Sequence, residues 1–584
     1  MMESPIKNFF FLAIGTAFFT FLFVYYMPQR ADNLYVNGRF YTMDDQNTIA
    51  GAIAVSGDRI AGAGSQEYIR RKFKAKNIID LQGATVFPGF IDAHCHLLGL
   101  GLARMTVDLD GAESEEEAAA IVGRKAGTVP AGQWIRGRGW NENEWPKKNL
   151  PTHASLDART SENPVFLIRI DGHACWVNQK ALAIANITAA TADPPGGRII
   201  RDKKGYPSGV LIDAAMDLVY KFMPEPSDDE MQQAVRIAVM ECNSYGLTSV
   251  QEMELDLRQF NLYKKLIDQN VFPLRVYSCI DGPGKTWDYF KQHRMLLDYG
   301  NHKLTVRGFK LYVDGALGSR GAALVDPYSD DAGNRGVTLL SAEKLELLVQ
   351  EAVDNGYQVC THAIGDRANH LILDVYEKMV LEHPLADLRL RVEHAQVLSE
   401  EDIPRFKKLG VLPSMQPSQC MSDMFWAEAR LGSKRVRSAF VWRSLLKTGV
   451  IIPGGSDFPV ESPNPLYGIY AACTRKDLRG LPRTAQDVRD NFQLAQEGIL
   501  DTTAFENGWY GSECMTREEA VKSFTRWAAY AAFEEDMKGT LRSGMPADFV
   551  VLSADIMTIP TQEIPGTKVL TTVLGGKVVF QSGL

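Results

Sequence analysis

Regular alternation of apolar strands with amphipathic helices between residues 88 and 537 constrains the fold of this chain most. Helical candidates such as 341–355 and 399–409 fall between the strand candidates. The strand candidates are 85–94, 247–253, 273–280, 306–314, 358–364, 390–396, 410–417 and 450–457. Eight strands that alternate with helices predict an α/β fold of the (β/α)8 TIM-barrel type, whose active site lies at the carboxyl ends of the strands.

The remaining chain predicts an insertion and a second, smaller domain. The stretch 97–246 is too long for one helix, so we expect an insertion in the barrel there. Residues 31–87 and 538–584 have the pattern of short strands separated by turns. Neither end is large enough to close a core alone. We therefore expect the two ends to form one composite β-sandwich, with the barrel of residues 88–537 inserted between them.

Residues 1–30 form a separate segment with an almost wholly apolar run from Phe9 to Met27. A helix of this length spans about 28 Å, close to the ~30 Å hydrocarbon core of a bilayer. A cleaved signal peptide is the alternative, but no good A-x-A cleavage site ends the run. We expect a single-pass N-terminal transmembrane helix. Charges on its two sides barely decide its orientation, and a short cytoplasmic tail would leave the large remaining domain extracytoplasmic.

Charge and cysteine content exclude several classes of protein. The chain has 63 Lys and Arg against 71 Asp and Glu, a net charge of −8, without basic runs. This gives no electrostatic case for binding nucleic acid. The eight cysteines are scattered without a CxxC motif, and we expect most to be buried free thiols. The sequence leaves open whether the chain forms a homo-oligomer.

Histidines at strand ends carry the candidate chemistry. Asp92, His94 and His96 point the same way because side chains alternate along a strand. Two imidazoles placed in this way can chelate one divalent metal ion. His362 and His394 each end another strand candidate. Either alone would fit a buried, hydrogen-bonded histidine, but together with the His-x-His motif they favour a metal site.

Two charged residues extend this candidate site. Asp457 ends the last strand candidate, which barrel closure would bring next to His94, although Asp after Gly also caps turns. Lys310 should point into the barrel, where an ammonium group is costly unless it is neutralised. It would either pair with Asp314 or Asp457, or be carbamylated and bridge metal ions. Four imidazoles and a carboxylate suit zinc, manganese, iron or a similar ion.

Five motifs at 88–96, 310–320, 362–368, 454–460 and 539–549 stand out together in the chain. They resemble the amidohydrolase superfamily, and in particular its amidohydrolase-3, YtcJ-like branch, which includes N-substituted formamide deformylases. The resemblance covers about 33–584. It implies a (β/α)8 barrel with a composite β-sandwich, and metal-dependent hydrolysis.

The resemblance also implies the residues around the metal. They are His94, His96, Lys310, His362, His394 and Asp457. They would bind one or two divalent metal ions, with zinc as the first candidate. His173 lies in a motif similar to one that faces the family's pocket, so it is a second catalytic candidate beside Asp457, with a structural role as the alternative. Gln419 departs from relatives that have histidine nearby, which puts substrate contacts there in doubt.

These inferences predict a hydrolase that cleaves a C–N bond other than a peptide bond in a small-molecule amide, formamide or cyclic amide. Metal-activated water would attack, with Asp457 as general base. We expect an apolar pocket wall from the three tryptophans of the insertion, Trp140, Trp145 and Trp176. Arg320 would clamp an anion or carbonyl, or pair with Asp326 or Asp314. The alternatives are a deaminase using the same metal site, and a non-catalytic membrane-anchored binding or signalling protein.

Overall fold

The computed structural model describes residues 28–142, 145–170, 172, 174–194, 197–480 and 507–583. Two compact units divide the chain: one contains the residues up to Cys95 and from Met240 onward, and the other is His96–Val239. The apolar run of the expected N-terminal anchor lies outside the described residues. Across the described ranges, no helix has both the length and the apolar character needed to span a bilayer.

Strands from both ends of the chain share one eight-stranded sheet in the first unit. Across the sheet, their order is Lys577–Gln581, Val569–Leu574, Phe549–Leu552, Thr85–Pro88, Gln29–Tyr41, Ile49–Ser56 and Arg59–Gly64, with Phe73–Asp80 also paired to Gln29–Tyr41. On one side, the long strand Gln29–Tyr41 pairs in parallel with Phe73–Asp80 and then with Thr85–Pro88. On its other side it pairs antiparallel with Ile49–Ser56, with a register shift between Val36 and Phe40. The expected sandwich is therefore one continuous sheet whose longest strand has two successive partners.

Apolar side chains from both chain ends form the core of this sheet. The rings of Tyr35 and Phe549 meet edge to face, with centroids 4.9 Å apart. The first strand already begins at Gln29, and its residue Arg30 pairs in parallel with a residue of Phe73–Asp80. These two residues of the expected anchor segment thus belong to the sheet.

The first unit also contains a parallel barrel. Its strands, in neighbour order, are Phe90–Cys95, Leu247–Leu255, Arg275–Asp281, Leu304–Tyr312, Gln358–Ala363, Arg391–His394 and Leu412–Ser414. A short strand, Leu296–Asp298, pairs antiparallel with Leu304–Tyr312. The predicted strand 85–94 is two strands, because Thr85–Pro88 pairs in the terminal sheet and Phe90–Cys95 in the barrel.

An extended segment, rather than a strand, occupies the eighth position of the barrel. Residues 453–457, within the predicted strand 450–457, form backbone hydrogen bonds to Met415 on one side. On the other side they bond to Ala93 and His94 of the first barrel strand. A single parallel bridge replaces a regular ladder. The barrel is nevertheless connected around its circumference.

The helices of the first unit lie between its strands and after them along the chain. They are Gln66–Lys72, Leu257–Asp268, Lys285–His293, Tyr299–His302, Ala342–Asp354, Asp366–Glu382, Ile403–Leu409, Pro417–Asp423, Ala427–Arg435, Trp442–Lys447, Pro465–Thr474, Arg517–Ser523 and Arg526–Ala531. Short 3-10 helices are Val436–Ser438, Gly511–Glu513 and Thr561–Gly566. The predicted helix 399–409 starts later, at Ile403, with Pro404 in its first turn, where proline is tolerated.

The second unit contains a six-stranded sheet. In neighbour order its strands are Gly197–Arg201, Pro207–Asp213, Ala174–Val177, Val165–Arg169, Ile135–Trp140 and Val107–Asp108. Its helices are Leu97–Met105, Glu115–Ala126, His153–Asp157, Gln179–Ile184 and Asp217–Tyr220. A further helix, Asp228–Ser244, contains the boundary between the units.

The three tryptophans expected to line a pocket lie in the core of the second unit instead. Trp140, Trp145 and Trp176 are buried and pack on one another, with ring centroids 6.3–6.4 Å apart. Each indole N–H donates to a backbone carbonyl at 2.9 Å. Buried indoles with satisfied N–H groups stabilise a core, so the expected apolar pocket wall is wrong for these residues.

The eight cysteines are all free thiols, and six of them are buried. Cys279 and Cys360 come closest among the described contacts, with their sulfur atoms 3.5 Å apart. This is a contact between thiols, because a disulfide needs a separation of about 2.05 Å. The expectation of mostly buried free thiols is confirmed.

A buried ion pair joins the barrel to the terminal sheet. Arg275 Nε donates to Asp548 Oδ2 at 2.6 Å, and Arg275 Nη2 donates to Oδ1 at 3.0 Å. Asp548→Asn would leave the Arg275 charge buried with a neutral partner. We predict a loss of about 3–5 kcal/mol in the free energy of unfolding, measured by denaturant titration. Asp387→Asn, which alters an exposed partner of Arg389, is the control; an equal loss there would contradict this account.

Candidate metal centre

Three side chains from distant parts of the sequence converge at the carboxyl ends of the barrel strands. They are His94, His394 and Asp457; all three are buried, and one ligand atom from each lies within 4.8 Å of the others. His94 Nε2 is 3.5 Å from Asp457 Oδ1. Donor atoms that bind one zinc ion at about 2.0–2.2 Å lie within about 4.4 Å of each other. The spacing is therefore close to that of a shared ion.

His362 places a further imidazole next to His394. Their ring centroids are 4.5 Å apart, and those of His94 and His394 are 4.9 Å apart. Within the described part of the chain, His362 Nε2 and His394 Nδ1 are buried without a hydrogen-bond partner. Buried polar atoms are normally paired. A metal ion fits here as the acceptor of these nitrogen lone pairs.

Burial keeps the three imidazoles neutral. It lowers the pKa of His94 to about 4 and that of His394 to about 3, and it lowers the pKa of His362 well below its ordinary value. The charge of Lys310 acts in the same direction on all three rings, whereas the charge of Asp457 opposes it. Metal binding requires neutral imidazole, so these rings are in the ligand form at neutral pH.

Left-handed backbone turns the strand-end residues into the site. The φ angles are 74° at His394, 43° at Ala395 and 61° at Asp457, a region that residues other than glycine rarely occupy. Regular alternation would send Glu393 and His394 to opposite faces of their strand. Instead, both approach His94, with Glu393 Oε2 2.6 Å from His94 Nδ1.

Sequence reasoning missed Arg391 and Glu393. Arg391 Nε donates to Glu393 Oε1 at 2.7 Å, and both side chains are 0% exposed. Burial raises the pKa of Glu393, but the charge of Arg391 and the hydrogen bond with His94 hold it well below its ordinary value. A signal was present in the sequence. Opposite charges two residues apart share one face of an otherwise apolar strand, and they must neutralise each other if that face is buried.

Two buried aspartates hold the loops around the centre. Asp92 accepts hydrogen bonds from the Ser456 hydroxyl at 2.7 Å and from the His94 N–H at 3.0 Å, which ties the first barrel strand to the turn before Asp457. Asp314 accepts three backbone N–H groups at 2.8–3.0 Å. Burial raises the pKa of Asp92 and of Asp314 to about 7, against the effect of these donors.

Lys310 does not form either of the ion pairs considered from the sequence. It is 1% exposed, and its Nζ lies 4.9 Å from the ring centroid of Tyr312. Across the described residues, no carboxylate oxygen lies within the 4.0 Å of Nζ that would define a salt bridge. Asp314 is instead committed to backbone N–H groups. The simple ion-pair explanation for a buried Lys310 is therefore wrong.

The other predicted site residues have different positions. His96 belongs to the second unit, where it precedes helix Leu97–Met105. His173 lies outside the described residues. Gln419 donates from Nε2 to Asp457 Oδ2 at 3.0 Å, so this departure from the family pattern contacts the candidate catalytic carboxylate directly.

Arg320 forms a structural ion pair with a partner that the sequence did not indicate. Its guanidinium donates to both carboxylate oxygens of Asp330, at 3.0 and 2.8 Å. Arg430 contacts the same carboxylate. The predicted partners Asp326 and Asp314 are wrong, because the loop after the fourth barrel strand brings Asp330 back to Arg320.

Comparisons with known proteins agree with this geometry. The amidohydrolase family model Amidohydro_3 matches residues 77–580. The YtcJ protein of Bacillus subtilis (strain 168) is 32% identical over 554 residues, covering 93% of this chain and 98% of YtcJ. The N-substituted formamide deformylase of Arthrobacter pascens is 27% identical over 576 residues, covering 95% and 99%. An uncharacterized metal-dependent hydrolase from Pyrococcus horikoshii OT3 superposes with a TM-score of 0.74 at 26% identity, covering 91% and 99%. The resemblance drawn from the motifs is confirmed.

Proposed function

Because the chain belongs to the amidohydrolase family, we propose that it hydrolyses a carbon–nitrogen bond other than a peptide bond in a small molecule. An amide, formamide or cyclic amide is the proposed substrate class. The convergence of His94, His394 and Asp457 in one buried centre carries this proposal. Similarity to a formamide deformylase along nearly the whole chain supports the formamide end of the class.

Six residues are the proposed ligands of the metal. They are His94, His96, Lys310, His362, His394 and Asp457. Imidazole and carboxylate donors suit zinc, which we propose first, and also manganese or iron. A bound divalent ion supplies Lewis acidity and lowers the pKa of a bound water toward about 7.

Asp457 is the proposed general base. Gln419 Nε2 donates a hydrogen bond to Asp457 Oδ2 and so orients the carboxylate. The other oxygen, Asp457 Oδ1, lies 3.5 Å from His94 Nε2. A carboxylate in this position can accept a proton from the attacking water and later deliver it to the leaving nitrogen. His173 is proposed to stabilise the negative charge that develops on the carbonyl oxygen.

A substrate screen tests the proposed reaction. Metal-loaded, full-length protein is incubated with N-formyl, N-acyl and cyclic amides, and the released acids and amines are measured. Hydrolysis of at least one member supports the proposal. Release of ammonia from ring amidines, without amide hydrolysis, would instead identify a deaminase. A wild-type protein that takes up no metal would point to a non-catalytic binding protein.

Substitution of Asp457 should separate turnover from metal binding. Asp457→Asn keeps an oxygen that can bind metal but loses the base, so we predict that turnover falls about 10²–10⁴-fold while metal content remains. His94→Ala removes one ligand and should lower metal content itself. Both are measured by elemental analysis and by the rate on the best screened substrate. Equal metal loss in the two variants would contradict the general-base role.

Lys310 is proposed to be carbamylated and to bridge two ions. Lys310→Ala should then lose metal and activity, and added short carboxylic acids should restore part of both by supplying the missing anion. Elemental analysis and rates with and without acetate measure this. Full metal content and full activity in Lys310→Ala would exclude a bridging role and leave a one-ion site.

A membrane anchor is proposed for the N-terminal segment on its apolar run, Phe9 to Met27. We predict that the full-length protein sediments with membranes after an alkaline wash and that a chain without residues 1–27 remains in the supernatant. The truncation keeps the strand Gln29–Tyr41 whole. Protease protection in sealed vesicles tests the proposed extracytoplasmic side. A full-length chain released by the wash would refute the anchor.

A further inference from the structure

We propose that Arg391 and Glu393 are positioning residues that select Nε2 of His94 as its metal-binding nitrogen and hold the ring in place. This inference rests on the proposed metal site and adds two residues that themselves need not touch the ion. The ionised Glu393 carboxylate determines that His94 donates the hydrogen bond between them. The contacts of Arg391 hold that carboxylate in place.

The hydrogen bond between Glu393 and His94 fixes the tautomer of the ring. Glu393 Oε2 lies 2.6 Å from His94 Nδ1, and Glu393 is held as a carboxylate by two contacts with Arg391, at 2.7 and 3.1 Å. An ionised carboxylate only accepts hydrogen bonds. Therefore Nδ1 carries the proton and donates it. In a neutral ring, the lone pair is then on Nε2, the nitrogen that lies 3.5 Å from Asp457 Oδ1.

Arg391 connects this pair to the barrel. Its Nη2 donates to the Ala93 carbonyl at 2.7 Å and to Ser414 Oγ at 3.0 Å. Its Nη1 donates to Gln251 Oε1. The guanidinium thus contacts side chains or backbone of four barrel strands, including its own. Every one of these groups is buried, so water cannot replace a contact that is lost.

This buried network is explained better by the orientation it gives to the His94 ring than by a contribution to the stability of the fold. A buried ion pair often contributes no more to stability than apolar residues of the same volume would. Carboxylates that accept from the non-coordinating nitrogen of a histidine ligand, in contrast, orient the ring and raise its basicity, and their loss typically weakens metal affinity 10–100-fold. The Arg391–Glu393 pair fits the second description because Glu393 Oε2 faces His94 Nδ1 at 2.6 Å, while Oε1 makes the shorter contact with Arg391 at 2.7 Å.

Two substitutions of Glu393 each disturb a different one of its two contacts. Glu393→Gln keeps an oxygen that can face His94 but removes the negative charge that holds Arg391. Glu393→Asp keeps the charge for Arg391 but withdraws the carboxylate from His94 by one methylene. Asp548→Asn is the matched control, since it breaks a similarly buried Arg–Asp pair that lies at the opposite ends of the strands, away from His94.

The measurements are the affinity of each metal-free, full-length variant for Co²⁺ and the visible spectrum of its cobalt form. We expect the Co²⁺ Kd to rise about 10–100-fold in both Glu393 variants, with a changed cobalt spectrum. In Asp548→Asn we expect a lower melting temperature but the wild-type Kd and spectrum.

Unchanged Kd and spectrum in the Glu393 variants, with a melting temperature lowered as in Asp548→Asn, would overturn the inference, because the pair would then be purely structural. If Glu393→Gln does not fold, Glu393→Asp decides by the same criterion. A wild-type protein that binds no Co²⁺ would contradict the proposed metal-dependent function itself. That outcome differs from normal Co²⁺ binding in the Glu393 variants, which would contradict only the positioning role.

Discussion

Backbone hydrogen bonds along residues 453–457 close the barrel, and the candidate metal centre exists only because of this closure. Asp457 N donates to the His94 carbonyl at 2.8 Å, so two residues from opposite ends of the barrel sequence become neighbours. Gly455 makes the approach feasible. A Cβ atom there would lie 2.6 Å from His94 N and 2.8 Å from Asp92 Oδ1. Irregular pairing at the eighth position thus brings the carboxylate to the first strand.

The site uses backbone conformations that a regular strand does not offer. Non-glycine residues in the left-handed region cost about 1–3 kcal/mol each and persist where surrounding structure holds them. His394 and Asp457 are both of this kind. Asp92 holds the turn before Asp457 through Ser456. The conformations put a ring and a carboxylate at the same centre, which is a functional reason for tolerating the strain.

Strand periodicity and the order of the strands predicted the candidate residues of the site. His94, His362 and His394 were found from their positions at strand ends, and Asp457 from the order of the barrel strands. The strand expected at 450–457 was not found, because its apolar pattern is that of a buried segment whatever its hydrogen bonding. A sequence pattern indicates which residues are buried and whether they repeat with the period of a strand or a helix. It does not indicate the hydrogen-bond pairing between strands that closes a barrel.

The other wrong predictions share one physical cause. A sequence shows the type of each residue but not which group that residue contacts in the folded chain. The tryptophans were expected to line an apolar pocket wall, yet they are buried in a core, where their indole N–H groups donate to backbone carbonyls. Arg320 was expected either to clamp an anion or carbonyl or to pair with Asp326 or Asp314, whereas it pairs with Asp330. Glu393 was overlooked beside His394, although it is the residue that contacts His94.

The balance of buried charge around the centre restricts the protonation states it can adopt. Arg391 and Glu393 neutralise each other, which leaves Lys310 and Asp457 as the principal opposite charges near three neutral rings. A divalent cation added to this set would bury two positive charges without matching anions, which is costly in a low-dielectric interior. Asp92 and Asp314 are further buried carboxyl groups beside the centre, and the N–H and O–H groups that donate to them favour their ionised forms. The buried charge of Lys310 and a bound dication would repel each other, so the centre has to compensate both charges within the same low-dielectric interior.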